Sequence, residues 1–196
     1  MANLSPSARR QAWLEAATAA LRKRFAAAGY TVPDAVRVSV GFPKGSHGRA
    51  KAIGQCWGVQ ASADKHAEIF ISPELSSGPR IMGVLAHELA HATVGVEAGH
   101  KGAFKQCAQA IGLDGPMTAT TESAEFIEWA GTIIAKIGEY PAGALSYVNR
   151  KKQTTRLLKC ECEMCGYVAR VTAKWVESAG APVCPTDEIE MTCEGV

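Results

Sequence analysis

The sequence predicts an α+β protein in two parts, a main domain of helices around a short sheet and a small cysteine-rich module after it. Three observations predict this. Apolar residues recur at helical spacing in several long segments, and shorter stretches between them alternate apolar and polar residues at the period of a strand. Five of the seven cysteines fall within residues 160–196. A chain of 196 residues is long enough for one good hydrophobic core and a small satellite.

The elements follow in order. Ser5-Pro6-Ser7 opens a first helix, with Ser7 as its cap, and Leu14, Ala17, Leu21, Phe25 and Ala28 form its apolar stripe before Gly29 stops it. Val36, Val38 and Val40 alternate with Arg37 and Ser39, which predicts a strand with one buried face. Residues 41–51, with three glycines and a proline, read as a loop, and Ile53–Val59 and Ala67–Ser72 as two more short strands. Ser72-Pro73 and Gly78-Pro79 punctuate the entry to a helix over 80–94, whose apolar face runs Ile81, Val84, Leu85, Leu89 and Ala92. A shorter helix over 101–111 buries Phe104, Ala108 and Ile111, and a third long one over 121–137 turns Phe126, Trp129, Ala130, Ile133 and Ile137 inward. From Tyr140 the character changes to a polar stretch ending in Asn149-Arg150-Lys151-Lys152-Gln153, followed by two strands over 157–161 and 166–176. The expected division is a main domain over 1–140, a linker over 141–155 and a small domain over 156–196.

The composition, 47% hydrophobic and 20% charged, is that of an ordinary globular protein, and a net charge of +2 singles out no class of partner. The N-terminus lacks the basic-then-apolar pattern of a secretory signal. The most apolar stretch, 81–96, is interrupted by His87, Glu88 and His91 and makes a poor membrane span. The expectation is a cytoplasmic protein without a membrane partner, in whose reducing compartment clustered cysteines serve as metal ligands rather than disulfides.

His87-Glu88-Leu89-Ala90-His91 is the segment that carries chemistry. Residues i and i+4 of a helix share a face, so His87 and His91 can aim imidazole nitrogens at one ion. Glu88 then sits beside the ion rather than on it, placed to take a proton from a water that zinc has acidified towards ~7. After attack on a carbonyl, the same carboxyl can pass the proton to the leaving amine. Polar groups in so apolar a helix would cost several kcal/mol each if uncompensated, and a ligated ion removes much of that cost. A catalytic zinc takes three protein ligands. His100, past Gly99 at the mouth of the next helix, is the favoured third. Glu97 occupies the position at which metzincins place a histidine and is one rival. Cys56 is a weaker one, by analogy with the upstream cysteine of peptide deformylases.

His87-Glu88-Leu89-Ala90-His91 followed by Gly99-His100-Lys101-Gly102-Ala103-Phe104 resembles the SprT-like zinc metallopeptidases. The order of parts matches from about residue 8 to the end. The resemblance implies a minimal zincin-like domain whose sheet edge can hold an extended substrate strand, with a zinc ribbon behind it. It implies that His87, His91 and His100 bind catalytic zinc and that Glu88 is the base. It does not carry over a substrate beyond a protein, with an association to nucleic acid as the further expectation.

Cys162-Glu163-Met164-Cys165-Gly166 forms a metal knuckle, two cysteines two residues apart and then a glycine that lets the turn tighten. Cys184-Pro185 begins a second, but residue 187 is aspartate where a cysteine belongs. Cys162, Cys165, Cys184 and Cys193 are the expected ligands of a structural zinc, with Cys160 or Asp187 as substitutes for Cys193. About 40 residues with few large apolar side chains hardly form a core unaided, and a structural ion supplies folding free energy. Between Arg150 and Trp175 stand seven basic residues (Arg150, Lys151, Lys152, Arg156, Lys159, Arg170, Lys174) against Glu161 and Glu163. With Tyr167 and Trp175 among them, Arg170, Lys174 and Trp175 suit phosphate contact and base stacking on single-stranded DNA. An acidic tail (Asp187, Glu188, Glu190, Glu194) counts against this.

The leading expectation is therefore a zinc metallopeptidase acting on protein, with one catalytic and one structural zinc. An idle zinc-binding adaptor that docks on nucleic acid is an alternative, disfavoured because Glu88 has no use there. A metal hydrolase for a non-peptide bond uses the same chemistry and stays open, as does the oligomeric state.

Overall fold

The first helix, α1 (Pro6–Ala27), begins where Ser5 accepts a hydrogen bond from the Ala8 amide at 3.2 Å and Pro6 supplies a preset φ at the first helical position. The cap is thus Ser5 rather than Ser7, because Pro6 belongs just inside the helix start. The computed structural model describes residues 4–44, 52–146 and 157–194. They form a mixed α+β structure with five α-helices and small sheets. The chain divides into two compact units, 1–146 and 147–196.

In the first unit α1 buries Trp13, Leu14, Ala17, Leu21 and Phe25, a stripe at three- and four-residue spacing. It packs on a three-stranded sheet of β1 (Val36–Val40), β2 (Gly54–Trp57) and β3 (Ala67–Ile71), in the order β1-β3-β2. β1 runs parallel to β3, and β2 antiparallel to it with Cys56 opposite Ile69. Ala67, Ile69 and Ile71 alternate inward, and the strands are shorter than or equal to their expected spans. α2 (Gly78–Val94) is the central element: Ile81, Met82, Leu85, Ala86, Leu89 and Ala90 are all fully buried, so it is covered on most of its circumference. α3 (Ala103–Ala110) and α4 (Ala124–Ile137) complete the core through Phe104, Ala108, Phe126, Ala130 and Ile134.

Residues 121–122 are not the start of α4. They pair as β5 (Thr121–Glu122) with β4 (Leu113–Asp114), and Ser123 caps the helix by accepting from the Phe126 amide at 3.1 Å. The first unit also runs past the expected boundary at 140. Tyr140 packs edge-on against Trp13 at 5.2 Å between ring centroids, Trp13 Nε1 donates to the Gly138 carbonyl, and the Leu145 amide donates to Pro73 O. Most of the expected linker, from residue 147 on, lies outside the described residues.

The second unit is a small sheet of β6 (Leu157–Glu161), β7 (Val168–Thr172) and β8 (Thr192–Cys193), ordered β7-β6-β8 with both pairings antiparallel. The strand expected to run to residue 176 stops at Thr172, and Ala173–Ala179 forms a short helix, α5. Period-2 alternation ends there, and Ala173, Val176 and Ala179 come at helical spacing instead. Among the described residues, the buried ones of this unit are Cys160, Cys162, Cys184 and Met191. Among the described residues, no helix is long and apolar enough to cross a membrane.

Candidate functional site

One turn apart on α2, His87 and His91 project from the same face, and Glu88 sits between them towards β2. His100 arrives from the other side, after a short 3-10 turn (Val96–Ala98) and Gly99 have reversed the chain ahead of α3. The floor under all three rings is Phe104, fully buried on the first turn of α3, with centroids 4.9, 4.2 and 5.1 Å from those of His87, His91 and His100. One ligand nitrogen from each histidine lies within 4.8 Å of the others, and His91 Nε2 and His100 Nε2 are 3.2 Å apart. Zinc–nitrogen bonds of 2.0–2.1 Å at a tetrahedral angle put two nitrogens about 3.3–3.4 Å apart. The three imidazoles thus fit one ion with little movement.

Their electrostatics agree with that role. Burial, helped by the neighbouring His91, His100 and Arg80, lowers His87 to about 3, and burial with His100 lowers His91 to about 4. Burial also lowers His100. All three are neutral at pH 7, the form that offers a lone pair. His87 Nδ1 lies 2.9 Å from Thr120 Oγ1. With Nδ1–H donating there, Nε2 is the nitrogen left for an ion. His91 lacks such a partner: its Nδ1 is buried without a hydrogen bond, and its ring is held by stacking on Phe104 at 25°.

Glu88 is 6% exposed, and burial pushes its carboxyl up to about 8 against the opposing effect of a hydrogen bond from the Cys56 amide. A divalent cation at the histidines would draw it back towards the ionised form. The side chain occupies space that only glycine leaves open. A β-carbon on Gly54 of β2 would stand 2.5 Å from Glu88 Oε1 and 2.6 Å from Val84 Cγ1.

Glu88 and the histidines open into a cleft of about 430 Å³. One wall is residues 52–56, including β2, which among the described residues has no strand on its outer side. The other is residues 118–120. Arg80, two turns before His87, also lines it and ties the second wall to α2: Nη1 donates to Thr120 O at 3.0 Å and to Glu122 Oε1 at 2.6 Å. Thr120, Arg80 and Glu122 are not legible in the sequence, because isolated residues about 40 positions apart carry no periodic signal. Glu97 stays out of the three-imidazole group, its carboxylate folded against the backbone of Gly95. Cys56 lines the cleft but is outside the group too, and burial with the nearby Glu88 pushes its thiol up to about 12.

In the second unit Cys162, Cys165, Cys184 and Asp187 each place one ligand atom within 4.8 Å of the rest. Asp187 Oδ2 is 3.1 Å from Cys162 Sγ and 3.5 Å from Cys184 Sγ, and the sulfurs of Cys165 and Cys184 are 3.5 Å apart. Cys193 does not join them. It stands opposite Cys160 across β6 and β8, and the two form a disulfide. Asp187 therefore takes the place expected for Cys193, and the expectation that no cysteine here pairs is corrected as well. The register explains both: β8 delivers Cys193 to Cys160, while a tight turn returns Asp187 to Cys184.

Arg170, on β7, and Lys174 and Trp175, on α5, are all exposed. The Lys174 ammonium lies 5.0 Å from the Trp175 ring centroid. Arg170 stands directly across from Lys159, which ion-pairs with Glu161. Arg150, Lys151, Lys152 and Arg156 lie outside the described residues. Compared with known proteins, the chain matches no family profile, no curated protein and no solved structure.

Proposed function

We propose that this chain is a zinc-dependent metallopeptidase of the SprT-like kind, with His87, His91 and His100 holding the catalytic ion and Glu88 as general base. The observation that carries the reading is the convergence of three neutral imidazoles and one buried carboxylate on a single open cleft. A bound zinc ion supplies an acidified water and a Lewis acid for the scissile carbonyl. The chain's own residues do the rest. Glu88 takes the proton from the attacking water and returns it to the leaving nitrogen. Phe104 and the walls of the cleft hold the histidines in place. The outer side of β2, without a neighbouring strand among the described residues, supports a polypeptide substrate, since an extended chain can pair there with its bonds across the mouth of the site. An idle adaptor would not retain a buried carboxylate whose burial opposes its charge. In the second unit the four clustered ligands support a structural zinc. A core with four buried residues among the described ones is small for an unaided fold, and the ion would contribute the missing free energy.

Glu88→Gln tests the catalytic assignment. The amide is nearly isosteric and is no ligand, so zinc content by elemental analysis should match the parent. Hydrolysis of an unfolded protein such as casein should fall by at least the ~10²–10⁴ ascribed to general acid–base catalysis. Activity retained in zinc-loaded Glu88→Gln protein would remove Glu88 from the chemistry, and zinc retained undiminished by His91→Ala protein would remove His91 from the ligand set.

A further inference from the structure

The two turns of the second unit are built alike. In the first, the Gly166 amide donates to Cys162 O at 2.9 Å, and Gly166 sits at φ +73°. In the second, the Glu188 amide donates to Cys184 O at 3.0 Å, and Glu188 sits at φ +55°. Residue for residue, Cys162 corresponds to Cys184, Cys165 to Asp187 and Gly166 to Glu188. A side chain in the left-handed region costs about 1–2 kcal/mol, and it persists where the surroundings over-determine the turn. Here the turn keeps the backbone of a metal knuckle although both residues that define one by sequence, the second cysteine and the glycine, are replaced.

From this, and resting on the reading that the second unit holds a metal ion, we infer that Asp187 is the fourth ligand of a three-sulfur, one-oxygen site, and that this oxygen biases the site towards zinc over softer ions. Zinc–sulfur bonds of 2.3 Å and zinc–oxygen bonds of 2.0–2.2 Å give tetrahedral S···O edges of about 3.6 Å and S···S edges of about 3.8 Å. The distances of 3.1 and 3.5 Å from Asp187 Oδ2 to two sulfurs, and 3.5 Å between two sulfurs, are those edges contracted by up to about half an ångström. Cys193 is committed to Cys160 on the neighbouring strand. Ligand softness then sets the preference. Thiolates favour cadmium and copper(I), whereas a carboxylate is a hard donor, so exchanging one thiolate for it penalises soft ions most.

Cobalt(II) reports the donor set, because near-ultraviolet charge transfer to cobalt arises from thiolates and not from histidines. The full chain loaded with cobalt should show this absorption, and Asp187→Cys should raise it by about one third, from three thiolates to four. Cys193→Ser should leave it unchanged. Asp187→Cys should also raise the ratio of cadmium to zinc affinity ~10-fold. Asp187→Asn keeps the shape of the turn and removes the charged donor, so it should weaken zinc binding here while the histidine site stays filled. Charge transfer that drops in Cys193→Ser and does not move in Asp187→Cys would overturn the assignment and make Cys193 the ligand. No thiolate absorption in the parent, with cobalt still held by the histidines, would instead remove the metal from the second unit altogether.

Discussion

His87 and His91 leave the same helix with the same chemistry, yet their rings are fixed in different ways. His91 relies on Phe104, 4.2 Å from centroid to centroid, and leaves Nδ1 without a partner. His87 is oriented through Thr120, whose hydroxyl lies 2.9 Å from Nδ1 and whose carbonyl is in turn held by Arg80 at 3.0 Å. Thr120 is 5% exposed, so water does not replace its hydroxyl easily. Partners of this kind set the tautomer and direction of a ligating imidazole, and their loss typically costs 10–100-fold in metal affinity. Thr120→Val keeps the shape and removes the hydroxyl. Its zinc affinity at the histidine site, measured by competition with a chelator, should fall by about 10–100-fold, and Thr120→Ser should recover most of it. Equal affinity for the valine variant and the parent would mean that Thr120 only fills space.

Between elements, the critical spacing is that of β2 and α2. Gly54 lets the strand approach until a β-carbon would stand 2.5 Å from Glu88 Oε1. Gly54→Ala must push the Glu88 carboxyl, Val84 or the strand aside, while the histidines on the far side of Glu88 keep their positions. A misplacement of about 1 Å costs on the order of 10²-fold in rate, so activity should fall by about that factor with zinc content intact. Loss of the zinc as well would show that the strand positions the histidines too. This scale also divides what the sequence discloses from what it hides. The apolar stripes of α1, α2 and α4 are read directly from their periodicity, and the i, i+4 spacing of His87 and His91 follows from helix geometry alone. The start of α4 is hidden because Thr121 and Glu122 are recruited by a tertiary pairing with Leu113 and Asp114. α5 is hidden because Thr172 ends the alternation without a glycine or proline to mark it. Asp187 is open to view only as an irregularity, since counting cysteines favours Cys193 and only the strand register assigns that residue to Cys160.

At the scale of the molecule, the two units differ in what holds them. The first has a continuous apolar core around α2, and the second has, among the described residues, four buried ones, three of them cysteines. Tyr167, Arg170, Lys174 and Trp175 of the second unit are exposed. Lys159 and Arg170 stand opposite each other on adjacent strands, and Glu161, which ion-pairs with Lys159, already relieves part of this like-charge pairing, so the case for an anion rests on Arg170 and its basic neighbours. Trp175 and Lys174 extend the patch by sequence on α5 rather than along β7, and the basic run from Arg150 to Arg156 precedes it in the chain. We therefore expect the full chain to bind single-stranded DNA with little sequence preference, by phosphate contact and stacking. If three to five basic residues meet phosphates, log affinity should fall against log salt with a slope of about −2 to −3.5. Arg170→Ala together with Lys174→Ala should flatten that slope. Trp175→Ala should weaken binding while leaving it nearly unchanged, because stacking releases few counterions. Fluorescence anisotropy with a labelled oligonucleotide across a salt series separates these effects. Absence of binding at low salt, with both metal sites confirmed full, would refute nucleic-acid contact and direct the search for a partner of this unit to proteins.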